Sequence, residues 1–225
     1  MLKSIFERKS SRVLRVLLSR PGEKWTLREL AKEASVSLGM SHYVSEALAR
    51  MGLTTREESG RLVLIEPQRL LKQWAAATNY SVLNVFQEFY TFDTEFEVFL
   101  SKFKRLPPRL NHSYALTLHA AAWLVAPYVR PNDFHLYIHP SMDKEGSLLL
   151  AKSLGLSPAE TTGNVKLVTP YDEGVFSGSA QAEGVNVVSM VQLYVDLYNY
   201  PGRGEEAAEK VFEKIMKNWE PAQNV

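Results

Sequence analysis

The sequence has no cysteine among its 225 residues, which excludes disulfides and thiolate metal sites and fits a reducing cytoplasm. It also has no long apolar run. The longest nearly uncharged stretch, Tyr114 to Tyr128, falls short of the roughly 20 residues a membrane-spanning helix needs, and reads as a buried helix. The opening MLKSIFERKSSR is charged with no apolar core behind it, unlike a secretory signal. No phosphate-binding loop is present, because GNVKLVTP and PGRGEE both lack the required Lys-Ser/Thr pair. No serine nucleophile elbow occurs. His112, His119, His135 and His139 lack metal-ligand spacing supported by carboxylates. Neither a metal nor a cofactor is therefore expected. His135, Tyr137 and His139 share one strand face, which reads as solvated, with a ligand site as the alternative.

Net charge is small as well, at +1, but it is unevenly spread. Met1 to Trp74 carries 14 Lys+Arg against 8 Asp+Glu, whereas the rest carries 12 against 17. A basic front half and an acidic back half fit a nucleic-acid-binding head on a neutralising or partner-binding body. The length allows two small domains. The division expected is a DNA-binding domain over 1–77 and a C-terminal domain over 78–225, with 78–110 as a connecting segment.

The head is organised around Thr26 to Met51, TLRELAKEASVSLGMSHYVSEALARM. Before it, Leu2 to Ser19 has helical spacing, with Val13, Leu14, Leu17 and Leu18 on one side and Arg8, Lys9, Arg12 and Arg15 on another. Pro21-Gly22 ends that helix, and Lys24-Trp25 forms an extended link. Thr26 and Glu29 have the spacing of a capping box, worth about 1 kcal/mol. Ser35-Val36-Ser37 is the turn, with Val36 plugging the core and Ser37 capping the next helix. Met40 or Ser41, Val44, Leu48 and Met51 form that helix's inner face. Gly39, His42, Tyr43, Glu46 and Arg50 form the outer face, and Gly39, Ser41 and Ser45 are small enough for a DNA backbone to approach. His42 and Tyr43 sit where such helices carry base-reading groups. Gly52 stops the helix. Leu53 to Arg56 and Arg61 to Ile65 then read as a hairpin around Glu57-Glu58-Ser59-Gly60. Arg56 and Arg61 flank its tip as phosphate ligands, with Arg12, Arg15 and Arg28 as further candidates; Glu57 and Glu58 would repel phosphate. The order helix, helix, turn, helix, hairpin predicts a winged helix-turn-helix. Ser37, Gly39, His42, Tyr43, Glu46, Arg50, Arg56 and Arg61 are its expected contacts to double-stranded DNA.

Pro67 to Ala77 reads as a helix with proline in its first turn and Leu70, Leu71 and Trp74 packed inward. Asn79 to Phe92 reads as strand or extended chain. Its aromatics have no Lys or Arg between them, so core or partner-facing packing fits better than base stacking. Asp93-Thr94 would cap a helix through Lys104, with Phe96, Phe99, Leu100 and Phe103 inside, broken by Pro107-Pro108. Ser113 would cap the buried helix Tyr114 to Ala126. Strands are expected at Phe134 to His139, Asn164 to Thr169 and Val185 to Val188. Helices are expected at Met142 to Leu154, after Ser189, and at Glu205 to Asn218. Tyr171 to Gly184 reads as a polar loop, and Ser189 with Gln192 as a second capping box. The fold class is thus α+β: a winged helix-turn-helix followed by a mixed α/β domain.

Three stretches carry a family likeness: Gly163-Asn164-Val165, Pro170 to Phe176, and VVSMVQLYVDLYNYPGRGEEAAE from Val187 to Glu209. With a head ending in PQRLLKQWA, they resemble the AbiEi-type antitoxins, regulators of abortive-infection, type IV toxin–antitoxin systems. The likeness is sharpest at Gln192, Asp196, Pro201 to Gly204, and Glu206. It implies repression of the protein's own operon through operator repeats, with two copies per site. It also implies antagonism of a nucleotidyltransferase-like toxin without need of a stable complex. Gln192, Asp196, Arg203 and Glu206 can alternatively be drawn as a catalytic cluster of a nucleic-acid- or nucleotide-processing enzyme. They read more simply as a structural corner, with Asp196 and Arg203 joined. A protein-interaction module is the remaining alternative.

Overall fold

In the computed structural model, which describes residues 5–93, 95–110 and 112–219, the first apolar stripe builds helix α1 over Ser10–Ser19. The helix is shorter than predicted: residues 5–9 form turns and a bend, and positions 2–4 lie outside the described residues. Strand β1 (Lys24–Trp25), helices α2 (Leu27–Glu33) and α3 (Leu38–Arg50), and strands β2 (Thr54–Arg56) and β3 (Leu62–Leu64) follow. The predicted capping box forms. Thr26 Oγ1 accepts the Glu29 amide at 3.2 Å, and the Glu29 carboxylate accepts the Thr26 amide at 2.8 Å. Ser37 Oγ accepts the Met40 amide and starts α3. The link Lys24-Trp25 is itself a strand, giving an antiparallel sheet in the order β1-β3-β2. Leu14, Leu30, Val44, Leu48, Leu53 and Leu62 close the core between this sheet and the three helices.

Helix α4 spans Pro67–Ala77 and buries Leu70, Leu71 and Trp74, as read from the sequence. The expected extended stretch divides into a short helix α5 (Tyr80–Leu83) and strand β4 (Val85–Tyr90), because the Asn79 side chain caps the Val82 amide. Helix α6 (Phe96–Phe103) has its four predicted apolar residues buried. Its cap differs: Asp93 pairs with Lys102 instead, and Thr94 lies outside the described residues. A 3-10 turn at Pro108–Leu110 follows.

The predicted helix 114–126 is a correction. Tyr114–Thr117 is strand β5 and only Leu118–Val125 is helix α7. β5 lies between two neighbours in the sheet and is buried along its length, so it reads as a continuous apolar run with no alternation. Leu118 makes the switch at φ +53°, a left-handed conformation rare for leucine. The remaining elements are β6 (Phe134–Ile138), α8 (Lys144–Ser153), β7 (Ser157–Pro158), β8 (Val165–Thr169), β9 (Ala180–Ala182), β10 (Val185–Val187), α9 (Met190–Tyr198) and α10 (Gly204–Trp219). The predicted loop 171–184 therefore contains a 3-10 turn at Glu173–Phe176 and strand β9. The second sheet runs β7-β4-β8-β6-β5-β10-β9, parallel at β6–β8 and β5–β10 and antiparallel elsewhere. Helix and strand are mixed as the α+β expectation required. Helices α1 and α4 pack on α9, so buried side chains of the front and back halves form one continuous core. No helix among the described residues is long and apolar enough to cross a membrane.

Candidate nucleic-acid interface and the buried seam behind it

Helix α3 has two faces. Ser41, Val44, Ser45 and Leu48 point inward and are fully buried. The two serines do not leave room for DNA, as the sequence suggested; both are packed inside, and Ser41 Oγ donates to the Leu27 carbonyl of α2 at 3.1 Å. Leu38, Gly39, His42, Ala49 and Arg50 face outward and are exposed. Tyr43 and Glu46 are half-buried at the border, Tyr43 packed against the core. The exposed Ser37 uses its hydroxyl as the helix cap.

The surrounding cations fall into two sets. Arg28 and Arg50 are exposed and have no ion-pair partner among the described residues. Arg56 and Arg61 are held by carboxylates. Arg56 lies 3.4 Å from Glu46 and donates to the Gly60 carbonyl, while Arg61 lies 3.0 Å from Glu29 and donates to the Lys24 carbonyl. Lys24 in turn pairs with Glu57 at 2.6 Å. Hydrogen bonds from the Thr26 backbone and hydroxyl, then from Arg61, keep the Glu29 carboxyl below its ordinary range. Exposed pairs of this kind are weak, so an incoming phosphate can replace either carboxylate.

Arg12 and Arg15 belong elsewhere. The sequence offered them as phosphate ligands, but α1 is enclosed and both turn toward the back half. Arg12 grips Asp172 through two hydrogen bonds of 2.7 and 2.8 Å and lies 3.1 Å from Glu173. Arg15 is 3% exposed. It donates to Gln192 Oε1 at 2.8 Å, to Tyr171 Oη at 2.7 Å and to Ser11 Oγ at 2.7 Å, with its guanidinium over the Trp74 ring. Arg15 is thus engaged with side chains of the back half rather than presented to solvent.

Behind Arg15 the seam continues inward. Gln192 Nε2 donates to Asp196 Oδ1 at 2.7 Å, Tyr137 Oη donates to the same oxygen at 3.2 Å, and Thr117 Oγ1 donates to Oδ2 at 2.6 Å. Burial pushes the Asp196 carboxyl up to about 7, against the pull of those three donors and of Arg15. Two sequence expectations are corrected here. Ser189 does cap the Gln192 amide, but the Gln192 side chain runs inward to Arg15 and Asp196 and completes no capping box. Asp196 does not meet Arg203 either. Arg203 sits on the surface at φ +70° and pairs with Glu206 at 2.7 Å, so the four residues form a buried pair and a separate exposed pair. The face of His135 and Tyr137 is also not solvated: both are at most 2% exposed. His135 Nδ1 meets Tyr80 Oη at 2.9 Å, and its Nε2 lies 3.0 Å from Asp133 and 3.1 Å from Tyr200 Oη. His139 lies at the surface beside Ser141. Among the described residues no group of three His, Asp or Glu side chains is placed to hold a metal.

The other distinctive stretches are explained by space and bonding. A Cβ on Gly163 would meet the Phe89 carbonyl oxygen at 1.9 Å, so only glycine lets β4 and the start of β8 close together. Asn164 accepts the Thr91 amide and donates to the Thr91 carbonyl. Gly204 is pressed against the Leu197 carbonyl in the same way. Sequence reasoning placed Tyr171 in a family-like stretch and Tyr80 among packing aromatics, but assigned neither them nor Thr117 to the buried seam, because their partners are distant in the chain. It also passed over Leu38, whose signal was visible as a leucine on an otherwise polar helix face.

A family model described as "Transcriptional regulator, AbiEi antitoxin, Type IV TA system" matches residues 61–217. Neither the curated proteins nor the solved structures gave a match.

Proposed function

The chain belongs to the AbiEi antitoxin family of type IV toxin–antitoxin transcriptional regulators, and on that premise we propose that it represses its own operon by binding operator DNA. The front half, residues 1–77, acts as a winged helix-turn-helix in this reading. Helix α3 enters the major groove, and the β2–β3 hairpin lies along the backbone as the wing. The observation that carries the reading is the outer face of α3, where His42 and Arg50 project from the helix that α1 and α2 hold from behind. Arg28 and, once exchanged from their carboxylates, Arg56 and Arg61 hold phosphates. Inverted operator repeats would seat two copies. The test is a mobility shift of the full chain on the DNA upstream of its own gene. Specific binding should exceed binding to a scrambled duplex by about 10³-fold or more; equal binding to both would sink the reading.

The same membership supports an antitoxin role against a nucleotidyltransferase-like toxin. Co-expression with a nucleotidyltransferase-like type IV toxin should restore growth, even where the two proteins do not co-purify. Unrelieved toxicity would contradict that role. The competing enzyme reading drew on Gln192, Asp196, Arg203 and Glu206 as one cluster; the first two are buried against Arg15, Tyr137 and Thr117, apart from the exposed Arg203–Glu206 pair, which favours the regulator reading.

A further inference from the structure

Leu38 and Gly39, the first two residues of α3, have no evident task in the fold. Leu38 is 48% exposed, and the buried face of α3 begins only at Ser41. A Cβ built on Gly39 meets nothing within 4 Å, and its φ lies in the ordinary range, so neither space nor conformation requires glycine there. Glycine nevertheless weakens a helix relative to alanine. Leu38 shares a shallow groove with Thr26, Leu27, Arg28, Arg56 and Gly60, between the start of α2 and the hairpin. Arg28 is without an ion-pair partner there among the described residues, and Arg56 is held by Glu46 at 3.4 Å and by the Gly60 carbonyl at 3.1 Å. Leu38 is also one helical turn from His42, so both side chains lie on the same outer face.

We propose that Leu38 is a specificity-determining residue that recognises the C5-methyl group of thymine in the major groove, with Gly39 letting the DNA come close enough for the contact. The inference rests on the DNA-binding reading above. Chemistry favours a thymine methyl over a protein partner. On the helix the neighbours of Leu38 are Gly39 and His42, and Leu27 is the one other apolar side chain lining its groove, so the apolar surface is small for a protein to cover. The flanking charges are guanidinium groups suited to phosphate. Thymine alone among the bases presents a methyl group in the major groove, and apolar side chains are its natural partners. The N-terminal end of such a helix is also where base edges are reached first.

The test uses the full-length chain and two duplexes of its own upstream region, one amplified with dTTP and one with dUTP, which lacks only the methyl group. Wild type should bind the uracil duplex about 4-fold more weakly, the factor that one buried carbon group carries at ~0.8 kcal/mol. Leu38→Ala should bind both duplexes alike, at about the strength wild type shows on uracil DNA, with an unchanged melting temperature because Leu38 is outside the core. Wild type that ignores the methyl group overturns the proposal, as does Leu38→Ala that keeps the full preference. Failure of the underlying DNA reading is distinct: wild type would then bind neither duplex more tightly than a scrambled one.

Discussion

Gly39 separates stability from function more cleanly than any other single residue. Replacing it with alanine adds a methyl group into open space on a helix. Folding should therefore gain, by less than the ~0.5–1 kcal/mol of a mid-helix exchange because Gly39 lies in the first turn, read from urea unfolding. On the proposed reading DNA affinity should fall, because the methyl group would stand where the duplex comes close. A variant that is stabilised and binds DNA as tightly as wild type would show that nothing approaches this glycine. His42 and Arg50 were legible from helical periodicity alone, and the structure puts both outside. Ser41 and Ser45 were not. A small side chain signals close approach but not by what, and here the neighbour is packed protein. Arg12 and Arg15 were illegible for a different reason. Their partners Asp172 and Gln192 lie 160 and 177 positions away, and charge alone made them look like phosphate ligands.

Among the elements, α1 matters for what it joins. Its arginines tie the front half to the turn at 172–176 and to α9, and the tie ends on the buried Asp196. That carboxyl is raised to about 7 by burial. Between the ordinary carboxylate range and pH 7, the folded protein keeps a proton that the unfolded chain has released. The stability contributed by this group is thus fully present at low pH and is lost as pH rises through about 7. The slope reaches at most about 1.4 kcal/mol per pH unit. Asp196→Asn keeps the shape and removes the titration. Urea unfolding at pH 5, 6 and 7.5 should show wild-type stability falling more steeply with pH than that of the variant. Parallel curves would mean that Asp196 does not titrate in this range. Carboxyls held below their ordinary range, such as Asp93 and Glu29, contribute in the opposite sense but equally in both proteins. The local elements were the readable part of the fold: the capping box at Thr26, the stop at Gly52 and helix Pro67–Ala77 follow from adjacent residues. Strand β5 was not readable, because a strand buried on both sides has the same composition as a buried helix.

The whole molecule carries its positive charge in front, yet much of it is balanced on the spot by Glu29, Glu46 and Glu57. Arg12 and Arg15 face inward. On the proposed reading, affinity for DNA would then come from a few free cations, from exchange of two ion pairs, and from base contacts along α3, rather than from a broad basic field. This places the burden of the account on the outer face of one helix. The decisive measurement is a quantitative mobility shift of wild type and of the double variant His42→Ala, Arg50→Ala on the protein's upstream DNA and on a scrambled duplex, at one fixed salt concentration. On the proposed reading, wild type strongly prefers the upstream DNA, and the double variant, melting like wild type, loses that preference while keeping weak binding to both. A double variant that retains the full preference would contradict it.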